Sequence, residues 1–541
     1  MSDIFKKGLS YNDLTGAERE LLQKGLQRGT TRREMMGWLM ASGATMAAAG
    51  SIFTAAGEAL AATPKKGGKL SFAWDLHGPS DTLDPTLFTS SIDYLRGRSN
   101  YNNLIRINEK VEATPELAEE FSSNKTATEW TFKLRKGVKW HDGTPFTADD
   151  VIYSMNRHIG KDSKSKAKPL VEMVKEWKKV DATTVKAILS SPNSDLAIAL
   201  GTFHFKIVKA GTTNFSAPIG TGPFKLKEFK PGVRSLHVAN DDYWGSGGPY
   251  VEEMEIFGIT DKEARLNALL AGNVDMIGNL SPKNIPEIEA KSDLEVWSVP
   301  SGAYLDIIAR VDRGPGKDPN FVKAMKHLQR RERFVKIQLR GQGTVGTDNP
   351  INQAYADHCA TSTAFPYDPE MAKSLLKKSS VTEAELYVAE VGPGLTDMCN
   401  ALQRECSKIG FNLKLKKVPN DGYWGAIWLK KDMFVSSWNM RPTANVMMSL
   451  AYKSDAKWNE SYWKNEEFDK LLIEARGVTD PSLRAEMYCK MQNLITEQAG
   501  TIVPAHRNYV DAKKKKIKGV TRVPTGTMGG LEWPEYIWID S

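Results

Sequence analysis

The chain has 541 residues, 41% of them hydrophobic and 26% charged, with a formal net charge of +8. These are ordinary values for a globular protein, and the length is that of two or three domains. The excess positive charge is mild and spread out, and no ladder of basic and aromatic residues accompanies it, which argues against a nucleic-acid binder.

The first 61 residues read as a targeting segment. Arg32 and Arg33, with Met35 and Met36 after them, precede a weakly apolar run over 37–56, and Ala59-Leu60-Ala61 supplies a small-x-small cleavage pattern. The arrangement resembles a twin-arginine signal. Gly37, Ser42, Gly43, Gly50 and Ser51 dilute the run too far for a stable membrane anchor. No cysteine follows the cleavage site, so the expectation is a soluble periplasmic protein after signal cleavage. Beyond residue 61 there is no run of 18 apolar residues.

Along the mature chain, 69–74 reads as a strand and 83–85 as a turn. Trp130, Phe132 and Leu134 alternate with Thr131, Lys133 and Arg135, the period of a strand with one buried face. Asp142-Gly143 marks a tight turn. Thr147 stands three residues before Asp150, as an N-cap opening a helix over 148–158. A further strand is expected at 184–189. Helices are expected at 262–271, 319–340, 369–377, 394–409, 466–476 and 481–498. Gly410 ends the 394–409 helix, and 412–418 then alternates as a strand, a helix–Gly–strand unit typical of a parallel α/β sheet. A strand-like tail covers 501–518. Lys513–Lys516 and Lys518 form the densest basic cluster, read as a solvated loop or an edge strand blunted by lysine. An anionic membrane patch is its alternative.

Enzyme signatures are missing: no G-x-S-x-G, H-E-x-x-H or Walker A motif occurs. A G-x-G-x-x-G at 341–346 follows a helical segment rather than a strand, so it reads as a helix stop leading to a loop. His141-Asp142 could pair for general-base chemistry, but the turn explains Asp142. The 8 histidines are scattered singly, without a metal cluster. Among the four cysteines, Cys399 and Cys406 are too far apart on one helix to be bonded. Buried free thiols are expected for most, and Cys359, beside His358, is the one to probe with a thiol reagent. A disulfide between distant positions stays open.

Six motifs occur in one order: 115–119, the 130–151 stretch, 220–224, 240–245, 264–275 and 465–472. Together they resemble the peptide/nickel (dipeptide/oligopeptide-binding) family of extracytoplasmic solute-binding proteins of ABC importers, over roughly 66–520. The resemblance implies an α/β, two-lobed periplasmic-binding-protein fold, class II-like, with an enlarged lobe I and a two-strand hinge. It implies lobe I over 62–303 including an inserted subdomain, lobe II over 304–509, and a return to lobe I over 510–541. The crossings fall near 296–305 and 502–512. No enzymatic activity or cofactor is implied. The implied partners are a small peptide or peptide-like solute, an inner-membrane ABC permease and, through the signal, the twin-arginine export machinery, with a monomeric receptor. A secreted hydrolase and a chemotaxis-transducer partner are the rival readings.

The resemblance also indicates ligand contacts. Residues 434–442 are similar to a lobe II loop in which an Asp before Pro anchors a peptide ammonium. Here Arg441 precedes Pro442, beside Trp438 and Asn439. An arginine there repels an ammonium and attracts a carboxylate or phosphate. A non-peptide anionic solute, such as an opine, a sugar acid or a metal chelate, is therefore the alternative ligand, with Asp421, Asp432 or Asp455 as substitutes for the missing negative charge. Tyr423, Trp424 and Trp428 cluster with Trp438. Tyr304, Arg310 and Arg313 lie near the hinge. On lobe I the contacts are Trp74, Tyr101 and the loop Gly220-Thr221-Gly222, whose glycines either approach a ligand or make a tight turn under the sheet.

Overall fold

A computed structural model describes residues 64–540 apart from Leu76 and residues 420–422. The targeting segment and Asp421 lie outside the described residues. The chain divides into the unit Gly68–Ile537 and a second unit of Met1–Gly67 with Trp538–Ser541. In the second, Lys65 stands 3.7 Å from Asp540.

The unit Gly68–Ile537 is organised by one eleven-stranded sheet. Ten strands run in the order Asn412–Lys417, Glu383–Val388, Met433–Trp438, Leu294–Ala309, Thr501–Lys514, Met276–Ile277, Lys69–Trp74, Glu253–Gly258, Arg234–Ala239, Phe224–Lys230. Gly343–Val345 pairs with Thr501–Lys514 as the eleventh. Its flanks differ in character. Glu383–Val388 pairs in parallel with both of its neighbours, as the helix–Gly–strand unit requires. On the other flank, Phe224–Lys230, Arg234–Ala239 and Glu253–Gly258 form an antiparallel meander.

Between the flanks run the two longest strands, Leu294–Ala309 and Thr501–Lys514, paired antiparallel from Leu294 opposite Lys514 to Ile308 opposite Thr501. Both expected crossings lie inside these strands. Their register is broken between Val299 and Ala303, which face Tyr509 and Arg507. Four steps on one strand thus meet two on the other. Pro300 lies in that bulge, where a residue without an N–H is tolerated.

Separate apolar cores lie on the two sides. One gathers Leu305, Phe321, Leu386, Leu402 and Phe434; another gathers Ala73, Leu266, Ile277 and Ile288. A four-stranded antiparallel sheet, in the order Ala118–Ser123, Glu129–Leu134, Thr184–Leu189, Val174–Asp181, carries its own core with the helix Ala148–Asn156. The most recognisable motif in the sequence builds this core. Trp130, Phe132, Leu134, Trp140, Val151 and Met155 are all buried in it. Asp150 accepts from the Thr147 N–H at 2.8 Å, completing the capping box.

The expected helices end within two residues of their observed bounds, with one exception. The segment 319–340 is two helices, Pro319–His327 and Arg331–Ile337. The break directs buried Arg331 to Asp348, at 2.6 Å. The G-x-G-x-x-G segment carries a short strand before its loop, which starts at Gly346. Gly341, at φ 76°, ends the preceding helical segment, and Gly343–Val345 then joins the sheet.

Two expectations about side chains are corrected. Cys359 and Cys489 form a disulfide, with Cα atoms 4.7 Å apart, tying a loop to the helix Pro481–Gln498. Cys399 and Cys406 are free and buried. Within the lysine cluster, only Lys515 and Lys516 are exposed. Lys513 is buried and paired with Glu295, and Lys514 stands 2.9 Å from Asp275, because this end of the strand is interior to the sheet.

Candidate functional site

Beside the bulge, side chains from three segments meet. Met433–Trp438 lies against Leu294–Ala309 with Trp438 opposite Tyr304, and the two rings stack at 6.3 Å with 11° between their planes. Tyr304 is fully buried behind Trp438. The Trp438 Nε1–H donates to Glu460 Oε2 at 2.9 Å. Just past the strand end, Asn439 is exposed. Its Oδ1 accepts from Arg507 Nη2 and from the Tyr509 hydroxyl, both at 3.2 Å. Arg507 and Tyr509 are two apart on one strand and so share a face.

Arg441 is half-buried. Its backbone N–H donates to the Tyr355 hydroxyl at 3.1 Å, and its Nη1 donates to the Asn439 carbonyl at 3.3 Å. The guanidinium lies 5.7 Å from the Trp438 ring centroid, within cation–π range.

Arg441 also acts on residues from the first 210 of the chain. Burial pushes the Tyr94 phenol up to about 12, while Arg441 pulls it down. Burial lowers His204 to about 4; the bond to Phe88 opposes that shift and Arg441 adds to it. Tyr94 stacks on Phe203 at 4.5 Å, with His204 edge-on at 5.4 Å. The site is thus an aromatic, polar-tipped recess bounded by Tyr94, His204, Tyr355, Trp438 and Tyr509, with two guanidinium groups.

A Trp array extends it outward. Trp438 meets Trp458 edge-to-face at 6.0 Å, Trp458 meets Trp428 at 6.2 Å, and Trp428 meets Trp424 at 5.6 Å. Behind it, Glu460 also accepts from Ser436 Oγ at 2.5 Å and from the Trp428 Nε1–H. Asp306 is fully buried nearby. Burial, and then the neighbouring Glu460 charge, raise it well above the usual carboxylate range; Glu460 is raised by burial as well.

Of the residues anticipated from the sequence, Tyr304, Trp438, Asn439 and Arg441 come together here. The others have packing work elsewhere. Arg310 is held by Asp312 at 2.6 and 2.9 Å, by the Leu429 carbonyl at 2.8 Å, and over the Tyr462 ring. Arg313 pairs with Asp432 at 2.8 Å, and Asp455 with Lys453, so neither acid compensates Arg441. Trp74 is buried, and its Nε1 has no hydrogen-bond partner. Tyr101 is buried and donates to the Leu83 carbonyl at 3.2 Å.

The 220–222 loop is a tight turn against the 99–101 backbone. A Cβ on Gly220 would lie 1.6 Å from the Asn100 carbonyl oxygen, and one on Gly222 would lie 2.5 Å from the Ser99 oxygen. Thr221 is buried and donates to Asn102 Oδ1 at 3.0 Å. His141 fastens this loop. The Gly220 N–H donates to Nδ1 at 3.2 Å, so Nε2 carries the proton and donates to the Gly222 carbonyl at 3.0 Å. Burial lowers His141 to about 4, which keeps it neutral in this clasp. Its role is structural, and Asp142 is occupied by Thr144 and Lys209.

Arg507, Tyr509, Tyr355, Tyr94 and His204 were not singled out in the sequence. Arg507 and Tyr509 stand at i and i+2 on the crossing strand Thr501–Lys514, so they share a face, but His506, Asn508 and Asp511 beside them are polar too and blunt that signal. For Tyr94, the Ser90-x-x-Asp93 pattern marks the start of its helix, Ser91–Asn100.

The sequence model for bacterial extracellular solute-binding proteins, family 5 Middle, matches residues 112–460. The chain is 27% identical over 498 residues to the dipeptide-binding protein of Escherichia coli (strain K12), covering 83% of this chain and 91% of that one. It is 25% identical over 517 residues to di/tripeptide-binding protein 2 of Pseudomonas aeruginosa (strain UCBPP-PA14), covering 87% and 95%. Among solved structures, it is similar to the ABC transporter-associated periplasmic binding protein DppA from Helicobacter pylori in complex with the peptide STSA. That match has a TM-score of 0.76, 21% identity, and covers 88% of this chain and 99% of that one. It is also similar to the PBP AgaA in complex with agropinic acid from A.tumefacien R10, with a TM-score of 0.75, 24% identity, and coverage of 87% and 99%. These neighbours share the two-lobed fold. With the match spanning most of the chain, and two cores joined by a long antiparallel ribbon, the protein belongs to the bacterial extracellular solute-binding proteins of family 5.

Proposed function

We propose that the protein is a periplasmic receptor of an ABC importer that captures a small peptide or peptide-like solute between its lobes and delivers it, chemically unchanged, to an inner-membrane permease. Lobe I comprises 62–303 and the return after residue 510, and lobe II comprises 304–509. The receptor works as a monomer and reaches the periplasm through the twin-arginine route. The observation carrying this reading is the meeting of Trp438, Asn439 and Arg441 with Arg507 and Tyr509 beside the bulged ribbon. Those five residues lie on lobe II, and a ligand there that also reaches Tyr94 and His204 of lobe I, which sense the Arg441 charge, bridges the lobes and shifts the population toward closure. The relatives named as dipeptide- and di/tripeptide-binding proteins support the peptide class.

A second reading, a non-peptide anionic solute, is favoured by one observation: Arg441 has no acidic partner among the described residues. Thermal-shift measurements with pooled dipeptides, opines and sugar acids distinguish the two. Under the first reading the dipeptides raise the melting temperature by several degrees. A rise only with the sugar acids or opines replaces it with the second.

A further inference from the structure

Arg507 and Arg441 approach Asn439 from two directions, one through its side-chain oxygen and the other through its carbonyl. Almost every other guanidinium near the ribbon has a carboxylate or a set of carbonyls. Arg310 has Asp312, Arg313 has Asp432, and Arg331 has Asp348. Among the described residues, neither Arg441 nor Arg507 makes an ion pair. Moreover, Arg507 Nε is buried without a hydrogen-bond partner.

The nearby acids are engaged elsewhere. Asp511 accepts from the Asn279 and Met528 N–H groups and from Thr527. Glu460 faces Trp428, Trp438 and Ser436. Two positive charges therefore share a half-buried recess whose other polar groups, the Tyr94, Tyr355 and Tyr509 hydroxyls and the His204 ring, are neutral. Partly desolvated charge without a counter-charge is unfavourable, and a bidentate carboxylate is the group that best matches a guanidinium.

The recess also holds an unfilled acceptor. His204 Nε2 stands 3.0 Å from the Phe88 carbonyl and must donate to it. Nδ1 therefore carries only a lone pair, and it is buried without a partner.

We propose that the solute is anchored by its carboxylate between Arg441 and Arg507, with an adjacent N–H donating to His204 Nδ1, and that no free ammonium group is required. The C-terminal residue of a peptide offers both groups, a carboxylate and its own amide N–H. The class is therefore acyl-amino acids: peptides with a free C-terminus, whether or not their amino end is blocked. This rests on the receptor reading above and specifies its ligand end by end.

The test uses the full mature chain, dialysed extensively, and three pools of the same dipeptides: unmodified, N-acetylated and C-amidated. Melting temperature gives the first readout and calorimetry of the best binder the second. The unmodified and N-acetylated pools are expected to stabilise the protein, and amidation is expected to weaken binding at least about tenfold. Arg441→Gln and Arg507→Gln should each weaken the unmodified peptide by about tenfold or more while leaving the ligand-free melting temperature the same or higher, since each removes an uncompensated charge. Amidated peptides binding as well as free ones, or acetylation abolishing binding, overturns the proposal but leaves the peptide receptor standing. If no pool binds, the peptide reading falls, and short dicarboxylic acids against their methyl esters decide the anchor. Stabilisation by the acids alone keeps the carboxylate anchor and overturns the acyl-amino-acid class, and any other pattern overturns both.

Discussion

The indole N–H of Trp438 lies 2.9 Å from Glu460 Oε2, so a wall of the recess is oriented by a buried carboxylate. Glu460 also receives Ser436 and Trp428. Replacing it with alanine strands up to three donors, at about 1–3 kcal/mol for each that is buried. Glu460→Ala is expected to lower the urea midpoint by an amount equivalent to about 3–5 kcal/mol, and to weaken solute binding through a displaced Trp438. Glu460→Gln keeps one acceptor oxygen and should lose less. Equilibrium denaturation with calorimetry checks both, and an unaltered Glu460→Ala midpoint would falsify this role.

Asp306 gives a pH dependence of definite sign. Its folded carboxyl holds its proton well above the ordinary range, through burial and the Glu460 charge, whereas the unfolded chain releases it near pH 4. The native state thus binds the extra proton above that pH, and stability falls as pH rises. Asp306→Asn removes this contribution. The variant's denaturation midpoint should decline less between pH 5 and pH 8 than the parent's. Parallel curves would rule the linkage out.

The Cys359–Cys489 bond closes a sequence separation of 130 residues. Chain-entropy reasoning assigns a loop of that size about 5 kcal/mol. Reduction, or Cys359→Ser with Cys489→Ser, should lower the melting temperature by several degrees or more. Thiol titration of the unfolded chain should give two reactive groups before reduction and four after. Four before reduction would show the bond to be absent.

Gly220 packs where no side chain fits, since the clash would be with the Asn100 backbone. Gly220→Ala should cost on the order of 3–5 kcal/mol or prevent folding. Gly425→Ala, with nothing within 4 Å of its Cβ, is the neutral control. Melting temperatures of the pair provide the measurement, and equal values would contradict the packing account.

Much of the architecture was legible because local physics set it. Thr147, Asp368, Asn465 and Asp480 each begin a helix with a side-chain cap, and the Trp130, Phe132, Leu134 alternation marks a half-buried strand. The meander over 224–258 was missed, since its faces are mixed and only tertiary pairing distinguishes it from loop. So was the buried network in which Arg98 meets Glu116 at 2.6 Å and Glu532 at 3.0 Å, since Glu532 lies more than 400 residues along the chain from the other two. At the site, Arg441 stood out by its place before Pro442. Arg507 and His204 did not, because what distinguishes them is an unfilled hydrogen-bonding position, and that exists only once the fold has assigned every other partner.

The positions of the four cysteines also simplify how the protein matures. Cys399 and Cys406 are sealed inside a helix-packed core, while Cys359 and Cys489 are already neighbours in the folded chain. Oxidation after folding therefore has one available product. No wrong pairing has to be undone, and a disulfide isomerase would have nothing to correct.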